Sequence, residues 1–229
     1  VLAVAFCLLG GPATRAAANV VINELHVDPD VKTEQVEFVE LYNIGTEAIS
    51  LDGWRLDGGV FFTFPAGTSL AAGGYLVVVQ DLDDVKAKWT SLRQAAYTSR
   101  VLGPFGGKLD NEGDHVVLSD AAGETVDEVS YQLGFPWPTV GDAISTASGT
   151  GGSMQLIEAT ADNDLGGNWR SALPTPIVAN SGVLSLGVLP VIRQVQHSPK
   201  QPLSGEVVTI SAKITAPDGI QSVGLMYQV

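Results

Sequence analysis

Cysteine is almost missing. The chain holds one, Cys7, inside the apolar run 1–9 (VLAVAFCLL). Everything after that run can form no disulfide, no thiolate metal site and no cysteine nucleophile, so its stability must come from packing. Basic residues are scarce too. There are 12 Lys+Arg against 25 Asp+Glu, a formal net charge of −13, and the imbalance is concentrated. Residues 19–181 carry 8 Lys+Arg and 23 Asp+Glu, a net of −15, whereas 182–229 carry 3 and 2, a net of +1. A surface of that sign repels phosphate backbones, which proteins bind by neutralising them with Lys and Arg, so nucleic acid is a poor partner. Cations and basic partners are what it attracts. Aromatics make up only 7% of the chain, which leaves few exposed rings for a polysaccharide-binding surface, although sandwiches are common scaffolds for one.

A membrane span is not offered either. The run 1–9 falls well short of the roughly 20 apolar residues a spanning helix needs. It is followed by Gly10, Gly11 and Pro12 and then Ala16-Ala17-Ala18, the form of a signal-peptide core with a small-residue cleavage site. Residues 1–18 are therefore expected to be a partial signal peptide cleaved after Ala18, and the protein is expected to be secreted or held at the cell surface.

What the chain does have is glycine, 26 residues of it, with 45% hydrophobic and only 16% charged residues. That mixture favours many short strands and turns. Strand patterns fall at 20–25, 36–42, 49–56, 60–64, 75–80, 114–119, 124–131 and 153–157. The turn signals between them include Asp57-Gly58-Gly59 and Asp120-Ala121-Ala122-Gly123. In 36–42, Val36 and Phe38 alternate with Glu37, and then Val39 and Leu41 alternate with Glu40. A bulge near Phe38-Val39 would absorb the shift and leave both carboxylates facing water. Leu82, Val85, Trp89 and Leu92 have helical spacing behind Asp81, a plausible N-cap, so 81–96 is expected to hold a short helix on the sandwich edge. The segment 162–180 is expected to be an ordered loop or closing strand held by Trp169. The uncharged stretch 182–190 looks like a linker, and 191–195, 206–216 and 219–229 look like three strands of an incomplete second β unit over 191–229.

Several motifs occur together in 19–181. Glu40-Leu41-Tyr42-Asn43 and Leu51-Asp52-Gly53-Trp54 come first, then Leu109-Asp110-Asn111-Glu112-Gly113-Asp114 and Val126-Asp127-Glu128-Val129-Ser130-Tyr131. Trp137-Pro138, Asn168-Trp169-Arg170 and Pro174-Thr175-Pro176 with Asn180 follow. In this order they resemble the lamin tail domain family, with one departure: Ile177 stands where that family usually carries Gly. The resemblance implies an immunoglobulin-like β-sandwich with no intrinsic catalysis; with the helical stretch in 81–96, the expected fold is all-β with one short inserted helix. In bacteria it implies a module of secreted or cell-surface proteins. The stretch from Val195 to Pro202, continued at 215–220, looks like the start of an immunoglobulin-like or fibronectin-like repeat. In large bacterial surface proteins a lamin tail domain followed by such a stretch often precedes a kinase-like domain of the spore-coat protein H type. The resemblance therefore leaves two functions open: a binding or spacing module for an unknown protein or surface ligand, or the docking unit of an enzyme.

No residue set in the sequence specifies a catalytic, cofactor or metal site. Glu24, Glu37 and Glu40 could pair for acid–base work, but the bulged strand already gives Glu37 and Glu40 solvent-facing roles. His26, His115 and His197 lack the convergent spacing of zinc ligands. Ser130, Ser145 and Ser153 lack a nucleophile-elbow context. Gly149-Thr150-Gly151-Gly152 lacks the Lys-Ser/Thr ending of a phosphate loop. Trp54 and Trp169 fit core positions. Calcium is the one cofactor with any case. Asp162, Asn163, Asp164 and Asn168 gather oxygens in the loop 162–168, although Gly166 and Leu173 break the EF-hand pattern, and an Asx-turn loop explains the same residues. Asp81, Asp83 and Asp84 form a second acidic cluster, better explained by a helix N-terminus.

Overall fold

A computed structural model describes residues 19–31, 33–134, 136–138, 151–181 and 191–215, with backbone alone at 191–195 and 213–215. The expected signal segment 1–18, the linker 182–190, the strand 219–229, Ser145, Gly149 and Thr150 lie outside the described residues.

In chain order the strands begin with β1 (Val20–His26), β2 (Phe38–Asn43), β3 (Ile49–Ser50), β4 (Arg55–Gly58), β5 (Val60–Thr63), β6 (Ser69–Leu70) and β7 (Tyr75–Val79). Helix α1 (Leu82–Lys88) comes next, with 3-10 turns at Thr90–Arg93 and Ala95–Arg100. The chain continues through β8 (Val101–Leu102), β9 (Gly106–Gly107), β10 (Gly113–Ser119), β11 (Thr125–Gln132), β12 (Ser153–Leu156) and β13 (Trp169–Ala172). Beyond these, β14 (Val191–Ser198) and β15 (Thr209–Thr215) pair antiparallel.

Two sheets face each other in an immunoglobulin-like β-sandwich. One has the order β13-β12-β1-β2-β7-β8 and the other β11-β10-β4-β5-β9. Their inner faces supply one apolar core. Ile22, Leu25, Val39, Leu41, Leu76, Val78, Met154 and Leu156 come from the first sheet, and Leu56, Val116, Leu118, Val129 and Tyr131 from the second. Trp169 is 1% exposed, and Trp54 packs half-buried against the same core. Both tryptophans therefore have core roles.

The first sheet is buried on its outer face as well. Val36, Phe38, Val77 and Val79 form a second cluster there with Val85, Leu92, Val101 and Ile177. This explains the continuous apolar run at 75–79, whose alternate valines serve two cores. The helix accordingly covers this face and does not sit on the sandwich edge. Asp81 caps it, its Oδ1 accepting the N–H groups of Asp83 (2.8 Å) and Asp84 (2.9 Å).

Two expectations about strands need correction. The pattern 49–56 is two strands, because Leu51-Asp52-Gly53-Trp54 is a turn. Trp54 N–H donates to Leu51 O at 3.0 Å, and Gly53 has φ +72°, the left-handed conformation a type II turn requires at that position. The second correction concerns the bulge. β2 pairs with β7 without a break from Phe38↔Val79 to Tyr42↔Tyr75, and the register shift lies in β1, between Ile22 and Glu24. Val36, Phe38 and Glu40 thus share the outer face, while Glu37, Val39 and Leu41 turn the other way. Each face of the segment 36–43 carries one glutamate among apolar neighbours.

Candidate functional site

Glu24, Glu37 and Glu40 are 0%, 2% and 0% exposed, so the expected water-facing carboxylates are buried. Each holds a loop. Glu37 Oε2 accepts the Leu109 N–H at 2.9 Å, anchoring the loop that follows β9. Burial pushes its pKa up to about 7, with Asp28 adding to the rise while the Leu109 bond and Lys108 oppose it.

The other two lie under residues 173–181, a strap across the outer face of β12, β1 and β2. Glu24 accepts the Thr175 N–H (2.9 Å), the Thr175 hydroxyl (2.9 Å), the Ser153 hydroxyl (2.5 Å) and the Gln155 amide (3.2 Å). Glu40 accepts the Ile177 N–H (2.6 Å) and the Asn23 amide (2.9 Å). Asn180 closes the strap by donating to Asn23 O (3.0 Å) and Leu156 O (2.9 Å). Asn23, the bulge residue, is thereby brought to both partners. Burial raises the pKa of both glutamates, and for Glu40 the facing charge of Glu24 is the second cause. Ile177 takes φ +66°, the left-handed conformation that makes a glycine usual at such a site.

A further polar anchor joins the two sheets. Asp127 is 2% exposed, and its Oδ2 accepts the Ile22 N–H of β1 and the Asn163 amide, both at 2.6 Å. The Trp169 indole N–H donates to Asn163 O at 2.7 Å. Asp127 was not singled out from sequence, yet its parity marks it: with Val129 and Tyr131 it occupies the inward positions of β11. A carboxylate at an inward position implies a buried donor waiting for it.

The remaining candidates separate. In the loop 162–168, Asp162 Oδ1 accepts the Asp164 N–H (3.0 Å), Asp164 Oδ1 accepts the Ser130 N–H of β11 (2.7 Å), and Asn168 donates to Asp162 O (2.8 Å). These are Asx-turn and edge-capping bonds. Among the described residues no group of three or more His, Cys, Asp or Glu converges as a metal site would require. His26 is buried, stacked on Phe38 with ring centroids 5.3 Å apart, and its Nδ1 lies 3.0 Å from Val36 O. His115 lies exposed on β10, its Nε2 3.5 Å from Glu128, and His197 lies on β14. The three imidazoles do not meet. Ser153 does contact a carboxylate, but both groups are fully buried, out of reach of a substrate. Gly151 and Gly152 are buried and lead directly into β12, with no helix after them to cradle a phosphate.

An open depression of about 560 Å³ lies at one end of β10 and β11, lined by Asp110, Glu112, Asp114, His115, Ser130 and Tyr131 among others. Two of its three acidic side chains are committed locally, Asp110 accepting the Glu112 N–H (2.8 Å) and Asp114 accepting the His115 N–H (2.8 Å), and the Tyr131 hydroxyl donates to Asp110 O (2.7 Å). No helix among the described residues is long and apolar enough to cross a membrane.

The buried signature residues Glu40, Asp127 and Trp169 are thus tied into the fold by hydrogen bonds. Residues 13–132, more than half of the chain, match the family model of the Lamin Tail Domain. No curated protein matches the chain. Strands β12 and β13, which extend the first sheet beyond β1, follow the matched segment. The chain belongs to the lamin tail domain family.

Proposed function

We propose that the chain is a non-catalytic binding or spacing module of a secreted or cell-surface bacterial protein. One observation carries this reading: four buried carboxyl groups, two of them in the signature (Glu40 and Asp127), accept the protein's own loop and strand donors. Glu37 holds Leu109, Glu40 holds Ile177, Glu24 holds Thr175 and Asp127 holds Ile22. Acid–base catalysis needs such groups within reach of a substrate. Export is supported by the apolar run 1–9 and the alanines that follow it. A strongly acidic surface suits a basic protein or envelope partner.

The test has two arms. Expressed in a bacterium behind a start codon, the chain should be recovered outside the cytoplasm with Asn19 as its first residue. Recovery in the cytoplasm with residues 1–18 intact contradicts the export reading. Against panels of ester, glycoside and phosphate substrates, the purified chain should show no turnover. Turnover that disappears in a folded Glu40→Gln variant would refute the non-catalytic reading. Millimolar calcium should leave the melting temperature unchanged, since the loop 162–168 uses its carboxylates on backbone donors.

A further inference from the structure

The register of the first sheet lines up Arg170, Gln155, Glu24, Glu40 and Val77 in one cross-strand row beneath the strap. Glu24 and Glu40 are directly opposite one another, both are 0% exposed, and like charges placed opposite each other across strands repel. The described cations nearby have other partners. The Arg170 guanidinium donates to Gly167 O and Trp169 O, both at 2.7 Å. Lys88 of α1 is held by Asp30 and Glu34, and Lys108 faces Glu37. The His26 ring of β1 stacks on Phe38. From β2 and β7 come Tyr42 and Tyr75, stacked with centroids 4.4 Å apart. β12 contributes Ser153 and Gln155, and the strap 173–181 has no ionisable side chain.

The hydrogen bonds distinguish the two carboxyls. Glu24 accepts four donors, two of them hydroxyls, which is the solvation a carboxylate requires in a buried site. Glu40 accepts two. We propose that Glu40 is protonated in the closed domain, that Glu24 is its ionised neighbour, and that this single proton acts as a latch on the strap 173–181. Burial first and the Glu24 charge second favour the neutral form of Glu40, and they outweigh the Asn23 and Ile177 N–H bonds, which favour the charged form. When Glu40 gives its proton to solvent, two facing carboxylates remain, and no described cation is hydrogen-bonded to either. Lifting the strap, which admits water to both, relieves that repulsion. Because the folded-state pKa is raised, the latch is closed at low pH and opens as pH rises through it. Opening withdraws Ile177 from the outer cluster and frees the Thr175 and Ile177 N–H groups.

Amide hydrogen exchange on the full chain tests this, with protection factors compared at about pH 6 and about pH 9 after correction for intrinsic rates. Protection of Thr175 and Ile177 should fall roughly tenfold or more at the higher pH, while Val39 and Leu41 in the sheet stay protected. In Glu40→Gln, whose amide imitates the neutral acid, the strap should stay protected at both pH values. Equal strap protection at both pH values in the unmodified chain overturns the proposal, as does a Glu40→Gln strap that still opens. Should that variant not fold, infrared spectra of Glu37→Gln decide. A protonated-carboxyl band must be present at neutral pH and vanish together with strap protection, and its absence at neutral pH overturns the proposal.

Discussion

Ile177 sits in the left-handed backbone region with its side chain 4% exposed in the outer cluster. Two terms oppose each other there. The conformation costs a residue with a Cβ about 1–2 kcal/mol, whereas burying the side chain contributes about 2–5 kcal/mol. Packing wins, so Ile177→Gly should destabilise the domain by about 1–3 kcal/mol in urea unfolding. Ile177→Ala should be worse than Ile177→Gly by about 1 kcal/mol, because alanine keeps the strain and loses the packing. The reverse order would show that φ is not what sets the residue preference at this position. Asp127 offers a second test at this scale. Removing its carboxylate in Asp127→Ala leaves the Ile22 N–H and the Asn163 amide without their 2.6 Å acceptor, a loss of about 3–5 kcal/mol. A change under about 0.5 kcal/mol, the size of an ordinary surface substitution, would refute its role in joining the sheets.

Among the elements, those with a clean local signal were legible in the sequence. β7, β10 and β11, the Asp120–Gly123 turn and the Asp81 cap all lie where period, turn chemistry and capping place them. β2 misled for a physical reason. Alternation marks a strand with one wet face, but β2 is covered on both sides, by the second sheet and by α1 with the strap. Glutamates on such a strand look like solvent-facing residues until their partners, 72 and 137 residues away for Glu37 and Glu40, are brought in by folding. Period-2 patterning does not record contacts at that separation. The bulge was misplaced because a register shift is a property of two strands: the pattern break in β2 reflected burial on both faces, and the extra residue lies in β1. The short β8 and β9 carry no pattern of their own, since two residues cannot display a period.

For the molecule as a whole, the buried acids reverse the ordinary dependence of stability on acidity. Glu24, Glu37 and Glu40 all have folded-state pKa values above the usual carboxylate range, with burial as the first cause. Each binds more proton in the folded chain than in the unfolded chain between its two pKa values. Their contribution is therefore fully present below about pH 4.5 and is lost as pH rises through the folded values. For Glu37, raised from 4.5 to about 7, the linked contribution is on the order of 3 kcal/mol. An acidic module built this way tightens on mild acidification, whereas salt-bridged carboxylates would make it loosen.

The most direct test of the claim that these carboxyls are buried structural groups is the count of protons exchanged on refolding near pH 6. It can be measured by calorimetry in buffers of different ionisation enthalpy. Net proton uptake, abolished in the Glu24→Gln, Glu37→Gln, Glu40→Gln triple variant, is the predicted result. Net proton release, or uptake that the triple variant retains while folded, would contradict the account.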